Sequence, residues 1–186
     1  MSSKIPSERI EIRLAGEGGQ GMILAGIILA EAAAIYDNKN AVQTQSYGPE
    51  ARGGASKAEV VIGQGEIDYP EVINADVLVA LSQEACDKYA SNLKKTGVLI
   101  VDEEKVGRVP TNNAIKVPIT RMAVEATSKA ITANVVALGV LVGLTRVVSR
   151  EAIEKAVLAR APKGTEEINR KALYTGFSVA DQLSAN

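Results

Sequence analysis

The stretch GEGGQG at residues 16–21 sits between two segments of opposite character. Before it, Ile10-Glu11-Ile12-Arg13-Leu14-Ala15 reads as a strand, and after it MILAGIILAEAAAIY reads as a helix. Four glycines in six positions at a strand-to-helix junction leave bare backbone beside the positive end of a helix dipole. Such a loop admits close approach by a dinucleotide, a nucleotide phosphate or part of another protein.

The rest of the chain continues this alternation and predicts an α/β fold, a Rossmann-like three-layer domain with a mainly parallel sheet and a helical C-terminal part. The first helix is expected from about Gly19 to Tyr36, closed by the turn residues Asp37-Asn38-Lys39-Asn40. Strands are expected at Ala41–Ser46 and Lys57–Ile62, with the loop Tyr47–Ala55 between them. The continuous apolar run VLVAL after Asp76 suits a buried parallel strand. Ser82 is a plausible N-cap for a helix Gln83–Lys95, followed by strands Val98–Asp102 and Ala114–Pro118. Four helices should fill the last third, at Met122–Lys129, Thr132–Val147, Arg150–Ala161 and Thr165–Leu183. In the second of these Gly139 and Gly143 share a face, which admits another backbone in the core or across a subunit boundary. No repeat or linker divides residues 1–186, and a single domain is expected.

What is missing narrows the chemistry. The chain has no histidine, which excludes Ser-His and Cys-His catalysis and imidazole metal ligation within it. Its single cysteine, Cys86, cannot alone hold an iron-sulfur cluster or a structural zinc and is expected to be packed. Any redox metal must therefore sit on another chain. The net charge of -1 and the lack of a basic run argue against nucleic-acid binding. Residues 21–35 and 130–145 are apolar but shorter than the roughly 20 residues that span a bilayer, so core helices and no membrane are expected. The N-terminal residues carry no secretory pattern, and a cytoplasmic location is expected.

GEGGQG matches G-x-G-x-x-G through Gly16, Gly18 and Gly21, the pattern of a free-standing dinucleotide-binding protein. That pattern needs an acid near the end of the second strand to hold a ribose hydroxyl, and here the strand reads Ala-Val-Gln-Thr-Gln-Ser. It also matches the frame of a phosphate-binding loop, but Met22 and Ile23 stand where lysine and serine or threonine are required. What survives is a bare anion-friendly loop, with Gln20 adding a donor and an acceptor. The second strand would bring Ser46, Tyr47 and the Arg52-Gly53-Gly54 turn to the same edge of the sheet, where Arg52 could clamp a phosphate or carboxylate. The alternative is that both loops are only tight turns.

The segments GEGGQGMILAGIILAEAA, VQTQSYGPEARGGASKAEVVIG, DYPEVINADVLVALSQEA, GVLIVDE and TANVVALGVLVGL, with the Ile168-Asn169 pair of EEINRKALYTGF, together resemble the gamma subunit of 2-oxoacid:ferredoxin oxidoreductases. Among that family's branches, QTQSYGPEARGGASKAEVVI with VLVALSQEA looks most like the 2-oxoglutarate enzymes. The resemblance implies a multisubunit enzyme that oxidatively decarboxylates a 2-oxoacid, forms an acyl-CoA and reduces ferredoxin. It implies alpha, beta and ferredoxin-like delta partner subunits, with thiamine diphosphate, Mg2+ and iron-sulfur clusters on those partners. This chain would hold no cofactor or catalytic residue alone and would be inactive by itself. Coenzyme A is implied near Gly18, Gly19, Gln20, Gly21, Ser46, Tyr47, Arg52, Gly53 and Gly54, a surface that could equally meet a partner chain. The resemblance leaves room for a homodimer of the isolated chain.

Overall fold

A computed structural model describes residues 9–46, 55–110 and 113–185. One sheet of six strands runs through it, built from β1 (Arg9–Glu17), β2 (Asn40–Ser46), β3 (Ala55–Gly63), β4 (Ala75–Ala80), β5 (Leu93–Asp102) and β6 (Ile115–Val117). Their spatial order is β2-β3-β1-β4-β5-β6. β1, β4, β5 and β6 pair in parallel, whereas β3 runs antiparallel to both β1 and β2. Five strands therefore share one direction and only β3 opposes them. The insertion of β3 separates β2 from β1, which departs from the simple strand-helix-strand neighbour arrangement of a dinucleotide half.

Alternation along each strand sorts residues to two unequal layers. Ile12 and Leu14 of β1 join Val60, Val77 and Ile100 under a thick helical layer. That layer holds α1 (Met22–Glu31), α3 (Ile119–Thr127), α4 (Ala133–Thr145), α5 (Arg150–Arg160) and α6 (Glu166–Ala185). The opposite face carries α2 (Gln83–Tyr89) over Ala15, Leu78, Leu99 and Val101. Arg13 also points there and is almost fully buried; its Nε donates to Glu59 at 2.8 Å and its Nη2 to the Val72 carbonyl at 2.8 Å. Pairing of this kind keeps a buried charge tolerable.

α1 and α4 are the two apolar stretches of the sequence, and α4 is buried along nearly its whole length. A helix apolar on every side is a core helix, and no helix among the described residues is long and apolar enough to cross a membrane. α4 crosses α6 where glycine faces glycine. A Cβ on Gly139 would lie 2.9 Å from Gly176 Cα, and one on Gly176 would lie 2.8 Å from Gly139 Cα. The small-residue face of α4 thus serves an intrachain contact.

Several boundaries move for local reasons. α1 begins at Met22 rather than Gly19, because Gly19 and Gly21 have φ of 93° and 74°, outside the right-handed helix. Its end widens into a π-helical turn over Ala32–Tyr36. α2 ends at Tyr89, earlier than Lys95, because Leu93 already pairs with Ala75 of β4; Gly97 falls inside β5 as a result. β1 runs on through Gly16 and Glu17, which pair with Ser56 and Ala55. Half of the glycine motif's length is thus committed to strand and helix cap.

Candidate functional site

The strand register sets the carboxyl ends level. Ser46 pairs with Lys57, Lys57 with Ala15, Ala15 with Ala80 and Ala80 with Val101. The ends of β1, β2, β4 and β5 therefore form one edge, the place where open α/β sheets gather ligands. Ser46, exposed, stands on this edge one row from Gly16. Ala55, which opens β3, stands there too, its amide donating to Glu84 at 3.1 Å. Tyr47, Arg52, Gly53 and Gly54 lie outside the described residues.

Each residue of GEGGQG has a distinct role at this edge. Gln20 turns back over Gly16, leaving no room there for a Cβ. Its Oε1 accepts from the Glu17 amide at 2.7 Å, and its Nε2 donates to the Leu81 carbonyl at 3.1 Å. Both ends of the carboxamide thus tie the loop to β1 and β4. Gly21 caps α1 with its backbone only, and its carbonyl accepts from Ala25 N at 3.0 Å and from Asn134 Nδ2 at 3.2 Å. A Cβ on Gly21 would sit 2.6 Å from Asn134 Nδ2. Gly19 needs its left-handed φ to make the turn.

Gly18 differs from its neighbours. It is exposed, its φ is not positive, and a Cβ added to it would meet nothing within 4 Å. Among the described residues nothing requires glycine there. Beside it the first amides of α1 have no side-chain cap and, as at any helix start, no intrahelical carbonyl to reach. Met22 is buried in the main core, so the position where a phosphate-binding loop needs lysine faces inward. The loop presents open backbone beside the uncapped start of α1.

Asn134 is the component sequence reasoning missed. It reaches the glycine loop from α4 across 113 positions of chain, a distance no local pattern bridges. The Gln20 ties were equally hidden, since the Leu81 carbonyl lies 61 positions along the chain. Cys86 is fully buried on α2; burial first, then the Asp87 charge, push its thiol pKa up. A reactive thiol needs the opposite shift. Among the described residues no three of His, Cys, Asp and Glu come together as a metal site.

Fold and site define an α/β subunit type, a scaffold whose sheet edge offers bare backbone at the glycine loop. Residues 11–179 match the family described as pyruvate ferredoxin/flavodoxin oxidoreductase, and the chain belongs to that family as a gamma-type subunit. It is 54% identical over 187 residues to the 2-oxoglutarate synthase subunit KorC of Methanocaldococcus jannaschii, covering 98% of this chain and all of that protein. The crystal structure of a keto/oxoacid ferredoxin oxidoreductase gamma subunit from Geobacter sulfurreducens superposes with a TM-score of 0.86 at 53% identity, covering 95% of this chain and 98% of that one. The 2-oxoglutarate:ferredoxin oxidoreductase of Magnetococcus marinus, solved with 2-oxoglutarate, coenzyme A and succinyl-CoA, shares the fold over 95% of this chain and 32% of its own, with a TM-score of 0.83 at 22% identity.

Proposed function

We propose that this chain is the gamma subunit of a 2-oxoglutarate:ferredoxin oxidoreductase, which decarboxylates 2-oxoglutarate, forms succinyl-CoA and reduces ferredoxin. Its likeness to KorC along the whole chain supports the substrate. Alpha, beta and ferredoxin-like delta subunits would carry thiamine diphosphate, Mg2+ and the iron-sulfur clusters. An iron-sulfur cluster needs several thiolates, and this chain has one cysteine, which faces inward. Its contribution is the edge formed by Gly18, Gly19, Gln20, Gly21 and Ser46, and the same role extends by resemblance to Tyr47, Arg52, Gly53 and Gly54. There the bare amides suit a CoA phosphate or a partner carboxylate, and Gln20 acts by holding the loop in shape.

The observation that carries this reading is the open space over exposed Gly18 beside the uncapped start of α1, which leaves room for an outside group to reach the loop amides. Gly18→Val fills that space without touching the fold. In the assembled enzyme it should raise the KM for CoA at least about tenfold, a loss of about 1.4 kcal/mol of binding, with kcat for the remaining activity little changed. If the loop meets a partner chain instead, the same variant loses co-purification with the other subunits. A variant that assembles and keeps its KM overturns the assignment of this edge.

A further inference from the structure

The junction between β4 and α2, Leu81-Ser82-Gln83-Glu84, bonds to three separate segments at the carboxyl edge of the sheet. The Leu81 amide donates to the Ala15 carbonyl at 3.0 Å, and the Leu81 carbonyl accepts from Gln20 Nε2 at 3.1 Å, which ties down the glycine loop. Glu84, in the first turn of α2, accepts at Oε1 from the amide of Ala55 at 3.1 Å, where β3 begins. Gln83 clasps the chain that leaves β5. Its Oε1 accepts from Arg108 N at 3.0 Å and its Nε2 donates to the Arg108 carbonyl at 3.0 Å.

These bonds go beyond what α2 itself requires. A helix start needs an N-cap, and Ser82 supplies it by accepting from Ala85 N at 3.2 Å. An acid in the first turn favours the helix dipole by its charge alone, wherever its oxygens point. Glu84 instead gives an oxygen to an amide 29 positions earlier, and Gln83 gives both ends of its carboxamide to a residue 25 positions later. α2 is a firm base for both side chains, because Ala85 and Cys86 share one buried cluster with Ala15 and Ala55. A side chain carried on a packed helix fixes the main chain that it holds.

We infer that Gln83 and Glu84 are positioning residues of the glycine-loop edge, setting the start of β3 and the exit of β5 around the loop that Gln20 ties to the same junction. The role rests on the reading of that edge as the surface that meets CoA or a partner subunit. Each side chain acts through the main chain it holds, and the two positions demand different chemistry. The Ala55 amide needs only an acceptor oxygen, which a carboxamide offers as well as a carboxylate. Arg108 needs an acceptor and a donor together, which a carboxamide alone provides.

Amide exchange of the purified full chain and kinetics of the assembled enzyme test this together. Glu84→Ala should speed exchange of the Ala55 amide about tenfold or more, and Gln83→Ala should do the same for Arg108. Glu84→Gln should keep the Ala55 amide near its wild-type rate. In the complex, Glu84→Ala and Gln83→Ala should each raise the KM for CoA about three- to tenfold with kcat within about twofold, and Glu84→Gln should restore the wild-type KM. If the edge meets a partner chain, the same order should appear in co-purification of the other subunits. A pure charge role at the start of α2 predicts instead that Glu84→Gln is as damaging as Glu84→Ala. That result, or amide exchange unchanged in both alanine variants, overturns the positioning role. So does a complex in which Gly18→Val acts on KM or assembly while Glu84→Ala and Gln83→Ala do not. If Gly18→Val and both alanine variants all leave KM and assembly unchanged, the reading of the edge fails and the positioning role falls with it.

Discussion

Gly139→Ala places one methyl group at the point where α4 and α6 touch backbone to backbone. The new Cβ would stand 2.9 Å from Gly176 Cα and 3.2 Å from Gly176 C, and it would also press on the Leu173 carbonyl oxygen. Carbon atoms pack best at about 3.5–4.0 Å, so the helices must separate by about 0.8 Å. Neither side can yield by rotating a side chain, because both contacts are main chain. Overpacking costs about 1–3 kcal/mol, and rigid surroundings place this case at the upper end. The better helix propensity of alanine returns about 1 kcal/mol. The net loss is about 2 kcal/mol, which for a domain of this size lowers Tm by about 4–8 °C. Urea denaturation and a thermal melt of the purified chain measure it, with Gly18→Ala as the control expected to stay within about 0.5 kcal/mol of the wild type. A Gly139→Ala chain as stable as the wild type would refute the packing argument.

Asp102, fully buried at the end of β5, accepts from Thr120 N at 2.8 Å, Thr120 Oγ1 at 2.5 Å and Glu104 N at 3.1 Å, and so caps α3, whose own N-cap position is Pro118. Asp102→Ala strands those donors and should cost about 2–4 kcal/mol, read as a shift in urea midpoint at unchanged m-value. Arg150 beside Asp181 holds that carboxyl below its ordinary range. Because the folded value is lowered, the pair's contribution is complete above the ordinary carboxylate range and is lost as pH falls through the folded value. Thermal melts should therefore show a small deficit in Arg150→Met at neutral pH that closes in acid; a deficit that grows in acid contradicts the pairing. Cys86, buried and with its pKa raised, should react with iodoacetamide at mildly alkaline pH far more slowly in the native chain than in urea.

The sequence exposes much of this architecture because its signals are local. The strand-glycine-helix junction, the apolar run before Ser82 and the Ser82 cap to Ala85 N at 3.2 Å all rest on residues a few positions apart. The strand directions that bring β1 and β2 to a common edge follow from the same alternation. What stayed hidden is long-range. Insertion of β3 between β1 and β2 is a pairing choice no periodicity encodes. Asn134 under Gly21 and Gly176 against Gly139 each join distant parts of the chain. The motif itself gave a mixed signal, since Gly16 lies under Gln20, Gly19 and Gly21 need positive φ, and Gly18 alone of the four has neither a neighbour nor a φ that calls for glycine.

Co-expression of this chain with thiamine-binding and iron-sulfur subunits, followed by CoA-dependent reduction of a viologen by 2-oxoglutarate, tests the central claim most directly. The complete complex should reduce the dye with 2-oxoglutarate in preference to pyruvate, and omission of this chain should abolish the reaction. Full CoA-dependent activity without the chain would contradict its assignment as a required subunit.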